Sequence, residues 1–286
     1  MTKRSKPLVG VTGSSGYLGR TLVAHLRAAD LDVVEYRRGV DDETNPGVAR
    51  SFDLARPPDA DTFRGVTCLV HAAWDLHETD RRRAWERNVE GSKQVLAAAV
   101  AAGIGRVIFV SSMSAYFGTR QDYGLMKLAV ERIVLEKDHV VVRPGLVYGG
   151  IPGGMAQTLS KLASLPVIPI FRGAHLFTLH VDDFVAAVAT LVEAESVPSS
   201  VIGLAAETPT PFREIMLAMA SSAGNSKETL TIPWHLVLGL LRVLEHLNVP
   251  LPVRSDSLLG LVRPAAVVPG RDVAECLELS FRNFTL

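Results

Sequence analysis

Short runs of β-branched and apolar residues recur along the first half of the chain, at Leu8 to Thr12, Asp32 to Tyr36, Thr67 to Ala72, Arg106 to Val110 and Val140 to Arg143. Between them the apolar positions follow helical spacing: Leu18, Leu22 and Leu26; Val89, Leu96 and Val100; then Leu125, Leu128, Ala129 and Ile133. Strands of this kind alternating with amphipathic helices predict an α/β fold with a parallel sheet covered on both faces. After Gly149 the rhythm gives way to "GGIPGGM" and "LPVIPIFRG" and does not resume, so a second, smaller lobe is expected from about residue 151. Near the end, "IPWHLVLGLLRVLEHLNVPL" reads as an amphipathic helix. His235, Arg242, Glu245 and His246 interrupt it too often for a membrane span, and packing on its own domain is preferred to docking on a membrane.

Composition narrows the function classes. At 286 residues and 48% apolar content the chain can bury a full core. Thirty basic and thirty acidic residues cancel, which leaves no overall field to draw nucleic acid or an anionic membrane. The run "RRRAWERN" from Arg81 is broken by an acid and an aromatic and reads as a solvated helix start. Two cysteines, Cys68 and Cys276, are too few for a disulfide framework and wrongly spaced for zinc, so no metal is expected and a reducing cytoplasm fits. "MTKRSKP" is basic, but the "LVGVTGSS" behind it is too short and glycine-rich for an export signal, which is expected to be absent.

The chemistry starts where the first strand runs into "TGSSGYLG", with Gly13, Gly16 and Gly19 at intervals of three and a helical pattern behind. Such a turn needs a tight bend at Gly13, a bare backbone at Gly16 to admit a pyrophosphate, and close helix-to-strand contact at Gly19. The interval G-x-x-G-x-x-G resembles the short-chain dehydrogenase/reductase superfamily. In that superfamily a Tyr and a Lys four residues later share one helix face, and Tyr123 and Lys127 in "YGLMK" have this spacing. Tyr116 has Arg120 four residues on, but a glycine intervenes and no helix has begun there. Among the serines, Ser112 at the end of "RVIFVSS" matches the catalytic hydroxyl of the extended branch, with Ser114 as its rival because Phe117 shifts the usual register. Only eleven residues separate Ser112 from Tyr123, a shorter loop than that branch carries.

The resemblance continues through "HAA" at His71, "NVEGSKQVLAAA" from Asn88, "RPGLVYGG" from Arg143 and "HVDDFVAA" from His180, and thins after Gly203. It implies the NAD-dependent epimerase/dehydratase type: a doubly wound Rossmann domain over residues 1–150, rejoined by 178–204, with 151–177 and 205–286 forming a substrate lobe. It implies Ser112, Tyr123 and Lys127 as the catalytic group. Cofactor contacts would come from Gly13, Ser14, Ser15, Gly16, Tyr17, Leu18, Ala72, Ala73, Lys127 and Pro144, with Asp53 and Leu54 at the third strand bordering the adenine. Substrate contacts would come from Trp74, Met113 and Ser114. Lys127 is expected to lower the Tyr123 pKa and to hold the nicotinamide ribose, and Asn88 either supports the active-site helix or caps a helix. His180, Asp182 and Asp183 read as capping and packing residues.

Arg37 stands where relatives using NAD carry Asp, and Arg38 follows. Forked guanidinium donors suit a phosphate, which favours NADP over NAD, although Glu35 on the same strand face is placed to reach a ribose instead. The leading function is hydride transfer on a carbonyl or carbinol of a nucleotide-sugar-like substrate. The alternatives are an NADPH-dependent reductase of a non-sugar aldehyde or ketone, and a non-catalytic dinucleotide-binding protein. A homodimer through the helices at Asn88–Ala102 and Tyr123–Leu135 completes the expectation.

Overall fold

The computed structural model describes residues 6–40, 48–151, 153–222, 228–247, 249, 251 and 253–286. The first half supplies β1 (Leu8–Thr12), α1 (Tyr17–Ala28), β2 (Asp32–Arg37), β3 (Ala49–Ser51), β4 (Cys68–His71), α2 (Arg81–Trp85), α3 (Gly91–Ala101), β5 (Arg106–Val110), α4 (Asp122–Leu135) and β6 (Val140–Pro144). Shorter elements follow: β7 (Leu146–Tyr148), α5 (Gly154–Ala163), β8 (Val167–Ile170), β9 (His175–Leu176), β10 (Thr178–His180) and α6 (Val181–Glu193). The last part carries β11 (Val201–Leu204), β12 (Thr210–Pro211), α7 (Phe212–Ser222), β13 (Glu228–Thr231), α8 (Trp234–His246), α9 (Ser255–Val262) and α10 (Arg271–Cys276).

Seven strands make one parallel sheet in the order β11-β6-β5-β4-β1-β2-β3. The strands are apolar throughout because alternate residues are buried on opposite faces. Val9, Val11, Val33, Val70, Ile108 and Val142 meet Leu22 and Leu26 of α1 and Phe184 and Val188 of α6. Their neighbours Val34, Tyr36, Leu69, Val107, Phe109 and Val141 meet Val95 and Leu96 of α3 and Met126 and Val130 of α4. The chain winds from β1 outward to β3 and then crosses back to β4, so the carboxyl ends of β1 and β4 border the crevice where such sheets bind ligands.

A third core gathers Leu159 of α5, Ile168 and Ile170 of β8, Phe212, Ile215 and Met216 of α7, and Leu258 and Leu259 of α9. α8 lies on this lobe, but Leu238 is its one buried side chain. Leu236, Leu240 and Val243 face outward, so the expectation that the helix spends its apolar residues on its own domain holds for one stripe only.

Candidate active site

The glycine turn separates fold requirements from ligand requirements. Gly13 has φ +70°, and a Cβ there would come within 2.8 Å of Ala73 Cα. A Cβ on Gly19 would collide with the Gly13 carbonyl oxygen. Gly16 is different: a Cβ there would meet only that same oxygen, at 3.2 Å, so its bareness is not demanded by the protein and leaves open space in front of α1. No side chain caps the first turn of α1 and no acid sits in it, which suits an anionic pyrophosphate. The turn is held by Ser14, whose buried hydroxyl donates to Tyr36 O at 3.4 Å, and by Tyr17, whose hydroxyl donates to Gly149 O at 2.7 Å. Ser15 is exposed beside Gly16, and Leu18 packs on the sheet core. The geometry therefore fits a dinucleotide.

Opposite the turn, Ala72 N–H donates to Thr12 O at 3.3 Å and Ala73 N–H to Thr12 Oγ1 at 3.2 Å. Thr12 Oγ1 also meets His71 Nδ1 at 2.8 Å, and His71 Nε2 meets Ser92 Oγ at 2.9 Å. His71 is fully buried, and burial, reinforced by Lys127, pushes its pKa down to about 3, so the ring is neutral and bridges two hydroxyls. The sequence reading took His71 only as part of a strand signature and missed this role.

Ser112 lies just beyond β5, and Tyr123 and Lys127 sit one turn apart at the start of α4. The Ser112 hydroxyl is close enough to the Tyr123 phenol to favour its ionised form, and its Oγ accepts the Ser114 N–H at 3.1 Å. Lys127 is buried; Nζ donates to Val110 O at 2.8 Å and lies 3.7 Å from the Trp74 ring centroid. Trp74 meets Tyr123 edge-on at 5.9 Å, closing an aromatic wall around the ammonium. Met113 is buried with Phe177, Ala205, Ala265 and Val268, and Pro144 O accepts the Met113 N–H at 3.0 Å. Tyr116 stands apart and donates its hydroxyl to Arg263 O at 2.8 Å.

The electrostatics correct one expectation. Burial pushes the Tyr123 phenol up to about 12, opposed by the Ser112 hydrogen bond and reinforced by the Asp256 carboxylate; Lys127 does not lower it. Burial also drives Lys127 well below its ordinary value, against the pull of Glu131 one turn on. Glu131 in turn is held by Arg143, at 2.9 Å from Nε and 2.5 Å from Nη2, and by Ser111, which pins α4 to β5 and β6.

Two further residues frame the site. Asn88 caps no helix; it is buried in a segment that packs on α4. It sits in a wide helical turn between α2 and α3, where its amide accepts Asp75 N–H at 2.7 Å and donates to Asp75 O at 3.0 Å, fixing the segment behind Trp74. α4 has no cap from its own Gln121; Asp256 of α9 reaches across and accepts the N–H groups of Asp122 at 2.8 Å and Tyr123 at 3.2 Å. Nothing local in the sequence announces a contact 134 residues away.

At the far end of the crevice, Glu35 is ion-paired with Arg27 at 2.8 Å and has Arg37 at 3.9 Å, so its carboxylate is engaged. Arg38 and Asp53 line a cavity of about 300 Å³ with Ser51, Phe52 and Arg56; Arg56 was not foreseen. Asp53 and Leu54 follow β3 and are not part of it, and Asp53 Oδ1 accepts Ala55 N–H at 3.0 Å. His180 caps α6, accepting Asp182 N–H at 3.3 Å, and Asp183 pairs with Arg282 at 2.6 Å. Among the described residues no cluster could hold a metal ion and no helix is long and apolar enough to cross a membrane.

A family model for the NAD dependent epimerase/dehydratase family matches residues 9–203, spanning the glycine turn, the Ser112 strand end and the Tyr123 helix. The chain belongs to this family. The family member is 28% identical over 251 residues to 2′-dehydrokanamycin reductase of Streptomyces kanamyceticus, covering 78% of this chain and 68% of that one. An uncharacterized protein of Mycobacterium tuberculosis is 29% identical over 218 residues, 74% of this chain, and the match spans 23% of that relative's length. The solved structure of MoeE5 with UDP-glucuronic acid and NAD superposes with a TM-score of 0.73 at 22% identity, covering 96% of this chain and 94% of that one, a likeness of fold.

Proposed function

We propose that this epimerase/dehydratase family member is an NADPH-dependent reductase that converts a ketone to a secondary alcohol. The observation that carries the reading is the Ser112–Tyr123–Lys127 group beyond the carboxyl end of β5 and on the first turns of α4, at the same edge of the parallel sheet as the glycine turn after β1. When bound, the reduced dinucleotide supplies the hydride. Ser112 orients the ketone oxygen by donating its hydroxyl proton's hydrogen bond, and Tyr123 delivers a proton to that oxygen as negative charge develops. A phenol held at about 12 is fully protonated near neutrality, which suits the reducing direction. Lys127 would hold the nicotinamide ribose, a role that requires Nζ, which donates to Val110 O, to leave the Trp74 ring or share it.

Trp74, half-buried and edge-on to Tyr123, gives the substrate side an aromatic surface, with Met113 in the apolar core behind Ser112, which favours a ketone carried on a ring or apolar body over a nucleotide-activated sugar. The name of the Streptomyces relative, a reductase, supports the same direction. Arg37 and Arg38 favour the phosphate of NADPH. Assembly as a homodimer through α3 and α4 belongs to the same reading, since Val100 and Leu125 expose apolar surface there. The test is to supply NADPH or NADH with a panel of cyclic ketones, aliphatic ketones and nucleotide-linked ketosugars. The proposal expects NADPH consumption matched one for one by alcohol from a ring or apolar ketone. Dinucleotide binding with no hydride transfer to any member would leave a binding protein instead.

A further inference from the structure

α8 carries three stripes. One faces the smaller lobe, where Leu238 is buried and Trp234, Val237 and Leu241 pack on the core. The second is Leu236, Leu240, Val243 and the C-cap Leu247, exposed by 64, 59, 58 and 65% respectively. Their intervals of four, three and four residues align them along one outward line. The third stripe runs beside it as His235, Gly239, Arg242 and His246, all exposed. The helix has a single acid, Glu245, and it is turned away from both outward stripes: its carboxylate accepts the Ser255 N–H at 2.8 Å and Oγ at 2.6 Å and meets Arg254 at 3.6 Å. Arg263 stands 5.5 Å over the Trp234 ring on the core-facing side, while Val249, 41% exposed, prolongs the apolar line beyond the helix.

We propose that α8 is an interfacial helix by which the protein docks on the headgroup region of an anionic lipid bilayer. Aligned exposed aliphatics with a cationic edge and no outward carboxylate are the pattern of a helix that lies in the plane of such a surface. A second copy is a poorer occupant. The thirteen-residue helix is about 20 Å long and about 10 Å across, so its outer face offers a few hundred Å² at most, against the ~800 Å² per partner of a stable interface. A bilayer needs no complementary shape, and its anionic headgroups would meet Arg242 at the edge of the buried stripe. The balanced charge of the whole chain does not bear on this local edge. The inference stands independently of the proposed reductase activity.

The experiment is flotation of the full chain with phosphatidylcholine vesicles, with and without phosphatidylglycerol. The parent is compared with the double variant Leu240→Asp, Val243→Asp and with Arg242→Glu, and sedimentation is run on each. All three positions are exposed, and an unchanged circular dichroism spectrum and thermal melt report that each variant is folded. The proposal expects flotation that phosphatidylglycerol strengthens, at least a tenfold loss in the double variant, and loss of the phosphatidylglycerol increment in Arg242→Glu. A parent that floats with neither vesicle, or a double variant that floats as well as the parent, overturns it. So does a parent dimer that the double variant dissolves, which would assign the stripe to a second copy.

Discussion

Removing the Arg37 guanidinium separates the two dinucleotides. A hydrogen bond to a charged group contributes about 1.5–3 kcal/mol, but this side chain is 45% exposed and has the Glu35 carboxylate 3.9 Å away as a competitor. Solvent screening and that competition place the loss near the lower bound, about 1.5 kcal/mol, or roughly tenfold in affinity. Arg38 and Arg56 at the neighbouring cavity would retain part of the phosphate attraction, so binding is weakened and not abolished. Calorimetric titration of the parent and Arg37→Ala with NADPH and NADH should therefore show NADPH weakened about tenfold and NADH changed by less than about twofold. Glu35→Ala should leave NADH binding intact, because the carboxylate is already engaged by Arg27. Equal affinities for both dinucleotides in the parent, or loss of NADH binding on removing Glu35, would refute the reasoning and make Glu35 the ribose ligand.

Other consequences can be measured directly. Gly16→Ala should stay folded and bind dinucleotide poorly, whereas Gly19→Ala should lose folded protein, since a methyl at 16 meets the Gly13 carbonyl oxygen at 3.2 Å while one at 19 collides with it and with Ser14; circular dichroism beside titration distinguishes them. The His71 ring stays neutral to about 3 when folded but takes up a proton below about 6.5 when unfolded. The unfolded state thus binds more protons across that window and stability falls as pH falls through it, by about 2 kcal/mol between pH 7 and 5 from this residue alone. Urea unfolding at the two pH values should show the loss, and a flat profile would mean that the ring is solvated. Asp256→Ala should cost about 1 kcal/mol as a lost helix cap and speed hydrogen exchange at the Asp122 and Tyr123 amides; unchanged exchange at both would remove the cap.

How far the sequence reaches depends on whether a property is local. The strands at Leu8, Asp32, Arg106 and Val140 are legible because each is buried on both faces, and the glycine turn because Gly13 and Gly19 answer to backbone collisions within the same βα unit. Tyr123 and Lys127 are legible because one helical turn fixes their relation. What escaped came from elsewhere in the chain. Asp256 caps α4 from another lobe, Arg56 joins Arg38 only once β3 has ended, and His71 joins two hydroxyls through the sheet register. Asn88 stayed open between two roles because its partner, the Asp75 backbone, lies in an irregular segment that no periodicity marks. The Tyr123 pKa was misjudged because a lysine one turn away was counted as a solvated cation. It is instead buried, bonded to Val110 O and enclosed by Trp74 and Phe109.

The central claim is that Tyr123 is the proton donor of a dinucleotide-dependent carbonyl reduction, and Tyr123→Phe tests it most directly. The substitution removes one oxygen, leaves the edge-on contact with Trp74 in place, and leaves the glycine turn untouched. On one preparation, NADPH affinity and the rate of NADPH-dependent ketone reduction are measured together. The account predicts NADPH affinity within about twofold of the parent and turnover lower by at least about 10²-fold, the ordinary scale of a lost general acid. Turnover equal to that of the parent, with NADPH still bound, would contradict it.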